Sequence, residues 1–360
     1  MKPKRKKTDF KTAADAAESG YLKVRPPELA AVLAEPPLAA DAPVSLSVMT
    51  TYSCQLACAY CRVRQRPLNI SSPELKDSID FLLRSRSRNI ELKFFGGEPL
   101  LRPDIIREGT EYCAARIKKG RNCRYMLVTN GILLEGEMLR WLKRKKFHVM
   151  ISVDGSATAH AAQRPSLSGE TFHERILRNA RALAESGIPY ITNVITTPER
   201  AGFLFGELDY LARNGITHIQ AAYDVSTVWN EAALDKFMNG CLKFRAAARQ
   251  GKYGPDFPEL RNFINNAEPV SLKTDLIADC DGKIYRDGAL FLEKILPRAR
   301  SMFYLGEAKT LANPEAVAVS PLEHLKLWLD VCNTPQSRKM FLSTIAAGLR
   351  LRRFYKTLGS

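Results

Sequence analysis

The sequence predicts an α/β fold with a small α+β extension at its C-terminal end. Three observations carry this. Six short apolar runs alternate with helical periodicity between residues 46 and 225. The runs are short and mainly apolar, as expected for parallel strands covered on both faces. After Tyr223 the rhythm breaks into helical, irregular and hairpin-like stretches. Six β–α units in series form a parallel barrel or an open doubly wound sheet.

Taken in order, residues 1–45 read as a basic, proline-containing arm with one short helix near Glu28–Leu33. Strands are expected at Leu46–Thr50, Glu91–Phe95, Arg124–Thr129, His148–Val153, Tyr190–Thr196 and Thr217–Tyr223. Ser72-Pro73-Glu74 opens a helix, with a capping serine, a proline in the first turn and an acid at the positive dipole end. Leu75, Ile79, Leu82 and Leu83 supply its apolar stripe. A second helix begins near Phe172 and stops at Gly187, a residue suited to a left-handed C-terminal position. Residues 46–225 thus form a core and 226–360 an extension. In the extension a helix covers Asn230–Arg249, and Asp281-Gly282 turns a hairpin between apolar runs. From Pro321 the chain reads as helix.

With 360 residues, 45% hydrophobic and 26% charged, the chain buries a large core without disulfide staples. No apolar run is long enough to span a membrane. The basic start, Met1–Lys7, is followed by polar residues and not by an apolar stretch, so it does not read as a secretory signal. The formal charge is +16. Five positives lie in residues 2–7 and six more follow Pro335, leaving only +5 for residues 8–334. The surplus belongs mainly to the two ends. Met340–Leu358 mixes apolar and basic residues and reads as a packed helix with a solvated basic face. An amphipathic helix meeting an acidic peptide, a partner or a membrane surface is the alternative.

Cys54, Cys58 and Cys61 follow the first strand at C-x3-C-x2-C spacing. Three thiolates this close can converge on one metal centre from a loop. A structural zinc site would want a fourth Cys or His nearby, but the next candidates are Cys113 and His148. Three ligands without a fourth suit a [4Fe–4S] cluster with one iron open. Further motifs end the later strands: Phe94-Phe95-Gly96-Gly97-Glu98-Pro99, Thr129-Asn130-Gly131, and Ser152-Val153-Asp154-Gly155 followed by His160 and Arg164. Each taken singly reads as turn chemistry. All fall at strand C-terminal ends, where barrel enzymes build active sites.

This series resembles the radical S-adenosylmethionine (SAM) superfamily, over residues 46–223. The resemblance implies a partial (β/α)6 TIM-like barrel. It implies one [4Fe–4S] cluster on Cys54, Cys58 and Cys61, and SAM cleavage to a 5′-deoxyadenosyl radical that abstracts hydrogen. It also implies SAM contacts from Tyr60 beside the adenine, Gly96, Gly97 and Glu98 at the amino group, Asn130 after the third strand, Ser152 and Asp154 toward the ribose and carboxylate, Arg164 holding the site, and Ile195 in the adenine pocket.

The motif wording resembles the SPASM/twitch branch of peptide- and protein-modifying enzymes, which includes the anaerobic sulfatase-maturating enzymes. That branch carries a stretch like C-D-G-x-I-Y-P-C. Here Cys280-Asp281-Gly282-Lys283-Ile284-Tyr285-Arg286-Asp287 lacks the second cysteine. A degenerate extension without an auxiliary cluster is therefore expected, serving as lid or substrate dock. By the same resemblance Asp281 is a candidate catalytic base, although Asp281-Gly282 is also sufficient as a turn. The implied partners are a peptide or protein substrate and a low-potential electron donor such as flavodoxin or ferredoxin. A small-molecule substrate is the catalytic alternative. A nucleic-acid module is not expected, because aromatics are not interleaved with basic residues on one surface.

Overall fold

The apolar runs form strands where their periodicity places them. A computed structural model describes residues 26–35, 43–264, 275–286 and 288–358. Most of the expected N-terminal arm, and Asp287, lie outside the described residues; the short helix is α1 (Pro26–Leu33). The core then runs β1 (Val44–Met49), α2 (Ser72–Leu83), β2 (Asn89–Phe95), α3 (Pro103–Arg116), β3 (Asn122–Thr129), α4 (Gly136–Arg144), β4 (His148–Ser152), α5 (Ala157–Gln163), α6 (His173–Glu185), β5 (Tyr190–Thr196), α7 (Leu204–Arg213) and β6 (Ile219–Tyr223).

All six strands pair in parallel, in register from Val44 opposite Ile90 to Met49 opposite Phe95 at β1–β2. Leu46, Val48, Leu92, Phe94, Leu127, Ile151 and Val194 are fully buried along them. Phe147, just before β4, stacks between Phe94 and Tyr125, with centroids 6.1 and 5.5 Å away. In α2 the buried stripe is Leu75, Ile79 and Leu82, while Leu83 is half-exposed. Its N-cap is Ser71 and not Ser72, whose hydroxyl donates instead to Glu108 on α3. Gly187 ends α6 with φ +74° in the left-handed region.

The extension comprises α8 (Glu231–Arg249), α9 (Arg261–Ile264), β7 (Leu276–Ala278), β8 (Lys283–Arg286), α10 (Arg298–Met302), β9 (Tyr304–Glu307), α11 (Pro321–Val331) and α12 (Pro335–Leu358). It does not build a separate sheet. β7 pairs in parallel with β1, and β8 and β9 follow antiparallel. The result is one nine-stranded sheet in the order β6-β5-β4-β3-β2-β1-β7-β8-β9. That order is linear, so the six parallel strands curve as an open, TIM-like sheet and do not close. The C-terminal helix packs on the core through Phe341, Ile345, Leu349 and Tyr355. Its Arg350 pairs with Glu231 and Asp235, and Arg352 with Glu35 at 3.0 Å. This is the packed helix with a basic face. Among the described residues no helix is long and apolar enough to cross a membrane.

Candidate functional site: a cysteine loop over the strand ends

The loop after β1 is held at close quarters by the turn after β2. Thr50 N–H donates to Phe95 O at 2.8 Å, Gly97 N–H to Thr51 O at 2.8 Å and Glu98 N–H to Ser53 O at 2.8 Å. A Cβ on Gly96 would lie 2.4 Å from Thr51 O, and one on Gly97 2.2 Å from Ser53 O. Both positions therefore need glycine for the backbones to meet. On its other side the loop pairs with the segment after α5. Ala57 and Ala59 N–H donate to Pro165 and Gln163 carbonyls at 2.7 and 2.8 Å, and Leu167 N–H to Gln55 O at 2.9 Å.

Cys54, Cys58 and Cys61 line one cavity of about 400 Å³ at the C-terminal ends of the strands. Gly96, Gly97, Asn130, Ser152, Arg164, Ile195 and Tyr60 line it too. Burial pushes the Cys54 thiol up to about 12, eased by the Leu56 N–H that points at its sulfur. Burial also raises Cys58, against the pull of Arg164. Metal ligation would thus have to displace protons from buried thiols. Among the described residues no three His, Cys, Asp or Glu side chains gather tightly enough for a single ion. The three thiols share one cavity, and among its lining residues there is no fourth Cys or His of the kind a structural zinc site would want. Asn193 Oδ1, on β5 in the cavity wall, is buried without a hydrogen-bond partner. A polar ligand such as SAM would satisfy it.

Two expected ligand contacts are placed differently. Glu98 is wholly buried behind the cavity wall and does not line it. It accepts from Leu100 N at 2.9 Å, Thr129 Oγ1 at 2.7 Å and Asn130 N at 2.7 Å. Burial raises its carboxyl to about 7 in spite of those bonds. In this arrangement it ties the β2 turn to the β3 turn. Asp154, also wholly buried, is engaged by Arg164 Nε at 2.7 Å and by Ile195 N at 3.3 Å. Arg164 in turn lies over the Tyr60 ring, 5.1 Å from its centroid. The Asp154 carboxylate thus orients the arginine that faces the cavity.

Asp281 is not brought to the cavity. It sits exposed in the β7–β8 turn, paired with Lys283 Nζ at 2.7 Å, and borders a separate surface depression with Tyr285, Arg300 and Tyr304. The turn chemistry accounts for it, since Gly282 has φ +74° and Lys283 N–H donates to Asp281 Oδ1 at 3.2 Å. Sequence reasoning missed Tyr223, Asp224 and Ser226, which line the cavity from the end of β6. Their place at a strand C-terminal end was the available signal. It also missed Phe291 and Leu292 from the extension, which form the opposite wall. They lie in an irregular stretch with no periodic signal; Phe291 packs edge-on to Phe95 at 4.7 Å.

The strand ends of this open parallel α/β sheet present three thiols beside one cavity, an arrangement suited to a metal cluster next to a small-molecule ligand. Residues 48–199 match the family model of the Radical SAM superfamily. Proteins of this superfamily use a [4Fe–4S] cluster and SAM. The PqqA peptide cyclase of Streptomyces rochei is 30% identical over 163 residues, 44% of this chain and 42% of that protein. The mycofactocin maturase MftC of Mycobacterium tuberculosis is 30% identical over 151 residues, 41% of this chain and 36% of that protein. The chain spans about half the length of the curated relatives it matches. Among solved structures, native anSMEcpe with bound AdoMet and Cp18Cys peptide superposes with a TM-score of 0.69 over 88% of this chain and 99% of that one, at 15% identity. That likeness is one of fold, and it extends through the C-terminal extension.

Proposed function

We propose that the protein is a radical SAM enzyme that modifies a peptide or protein substrate. The observation that carries this is the convergence of Cys54, Cys58, Cys61, Gly96, Gly97, Ser152 and Ile195 on one cavity within the region that matches the Radical SAM superfamily. Cys54, Cys58 and Cys61 would hold a [4Fe–4S] cluster, which with bound SAM would supply hydrogen-abstracting radical chemistry at this cavity. The chain's own residues position and enclose. Gly96 and Gly97 let the backbone approach the amino end of SAM, with Glu98 fixing that turn from behind. Ser152, Asn130 and the orphaned Asn193 offer polar contacts to the ribose and carboxylate, and Ile195 and Tyr60 flank the adenine. Arg164, oriented by Asp154, adds a positive charge beside the ring of Tyr60.

The peptide class is supported by the cyclase and maturase relatives, and the extension reaches the cavity through Phe291 and Leu292. In this reading residues 46–225 are the catalytic core and 226–360 the lid or dock. An electron donor of the flavodoxin or ferredoxin class and a reducing, cytoplasmic setting follow from a low-potential cluster. Anaerobic reconstitution tests the proposal. The purified chain should take up one [4Fe–4S] cluster and release 5′-deoxyadenosine from SAM after reduction. Cys58→Ala should abolish both. SAM cleavage that persists in Cys58→Ala would sink the assignment. Candidate precursor peptides should raise 5′-deoxyadenosine release and change in mass; stimulation by metabolites alone would move the substrate to the small-molecule class.

A further inference from the structure

The cysteine loop is gripped by the extension at both shoulders. On the upstream side stands Tyr52, two residues before Cys54 and fully buried. Its hydroxyl donates to Asp279 Oδ1 at 2.7 Å. Asp279 is itself 0% exposed, immediately after β7, and also accepts from Cys280 N at 2.7 Å. Arg300 on α10 pairs with its other oxygen and donates to the Tyr52 hydroxyl at 3.3 Å. The Tyr52 ring is covered by the Arg66 guanidinium at 3.8 Å, and Arg66 is held by Glu293 at 3.3 Å. On the downstream side, Lys294 N–H donates to Arg62 O at 3.0 Å and Lys294 Nζ to Cys61 O at 3.3 Å.

A wholly buried carboxylate is tolerated only when its lone pairs are filled by well-placed donors. Here the donors come from both parts of the chain, one of them from the residue that leads into the cysteine loop. Simple packing would have needed only a phenylalanine at position 52 and an apolar residue at 279. The polar solution fixes direction as well as contact.

We propose that Tyr52, Asp279 and Arg300 act as positioning residues, through which the extension sets the placement of the cysteine loop. They touch neither the cavity nor the thiols and act through the backbone between Tyr52 and Cys54. The inference rests on Cys54, Cys58 and Cys61 being the cluster ligands, and it assigns a mechanical role to a part of the extension for which no ligand set is evident.

The test uses the full chain with Tyr52→Phe and Asp279→Asn, and with Arg350→Ala as a control that removes ion pairs of α12 remote from the loop. In the apo-protein, amide exchange over residues 53–61 should quicken about tenfold or more in Tyr52→Phe, the effect of losing a hydrogen bond to a charged group. Arg350→Ala should leave it unchanged. After reconstitution, Tyr52→Phe should retain its iron but show altered EPR g-values on adding SAM. SAM cleavage should fall about 10- to 100-fold, as loss of outer-shell partners does elsewhere. Wild-type loop exchange, g-values and SAM cleavage in both variants, with only a lower Tm, would overturn the inference. If wild-type protein failed to bind a cluster while loop exchange still quickened in Tyr52→Phe, the functional reading would fall and the mechanical tie alone would stand.

Discussion

His160 is 3% exposed on α5, its ring edge-on to His173 at 5.3 Å, and neither of its ring nitrogens finds a well-formed hydrogen bond. Burial, then Arg164, then His173 push its pKa down to about 3. The folded protein therefore holds it neutral, while the unfolded chain takes up a proton below about 6.5. Stability from this residue is present above that pH and is lost as pH falls toward the folded value, at about 1.4 kcal/mol per pH unit. Urea unfolding of the wild type and of His160→Phe at pH 7.5 and pH 5.5 checks this. The gap between them should shift by about 1.4 kcal/mol in favour of the variant at the lower pH; an unchanged gap would mean that His160 is not kept neutral. At this scale the sequence was a good guide to which residues matter and a poorer one to how. The cysteine spacing and the Gly96-Gly97 pair announced the loop, because ligand number and backbone approach are local properties. Whether Glu98 and Asp154 face a ligand or a neighbouring turn depends on side-chain partners 31 and 10 residues away in sequence, which no local pattern encodes. Asp281 and Asp279 show the same limit. Two carboxylates two positions apart face solvent and core respectively, and only the pairing of β7 with β1 decides which is which.

Among elements, β6 carries the open edge of the parallel sheet, and its backbone needs a partner on that side. Asn262, on the four-residue helix α9 and 4% exposed, supplies one. Its Oδ1 accepts from Ala221 N at 2.8 Å and its Nδ2 donates to Ala221 O at 2.8 Å, imitating the next strand. The same amide nitrogen meets the Tyr355 hydroxyl of α12 at 3.2 Å, joining the edge to the C-terminal helix. Asn262→Leu should leave both backbone groups of Ala221 buried and unpaired, at about 2–4 kcal/mol. Denaturant unfolding at constant slope would read this directly, and a cost under about 0.5 kcal/mol, the size of an ordinary surface change, would show that the edge is satisfied otherwise. The parallel strands were readable because each is a short, mainly apolar run, and observed and expected ends differ by two residues or fewer. The role of α9 was not readable, since four residues carry no periodicity. Nor was the place of β7. Leu276-Ile277-Ala278 says strand, but three residues do not say which edge they join.

At the scale of the whole molecule, the question is how many clusters the chain can hold. Five cysteines stand outside the loop, and the fold disperses them. Cys113 on α3 and Cys123 at the start of β3 touch, 3.6 Å apart, at the end of the sheet away from the cavity. Cys241 is fully buried in α8 and Cys332 caps α11, with burial pushing their thiols up to about 12 and about 11. Cys280, where the resemblance would place an auxiliary ligand, is 5% exposed and donates its thiol to Met49 O at 3.1 Å. It thereby helps seat the β7–β8 turn on the end of β1, and among the described residues no metal-holding group forms around it. A second cluster would need further thiolates beside it, and α11 and α12 bring only the distant Cys332. Reconstituted protein should therefore saturate with the iron and sulfide of one [4Fe–4S] cluster. Cys280→Ala should keep that content and its absorbance, losing only the packing and weak hydrogen bond of one thiol, about 1–2 kcal/mol by chemical unfolding. Cys54→Ala, in contrast, should lose the iron. Saturation at eight irons per chain, with a fall to about half in Cys280→Ala, would instead mean that the extension gathers ligands its folded arrangement keeps apart.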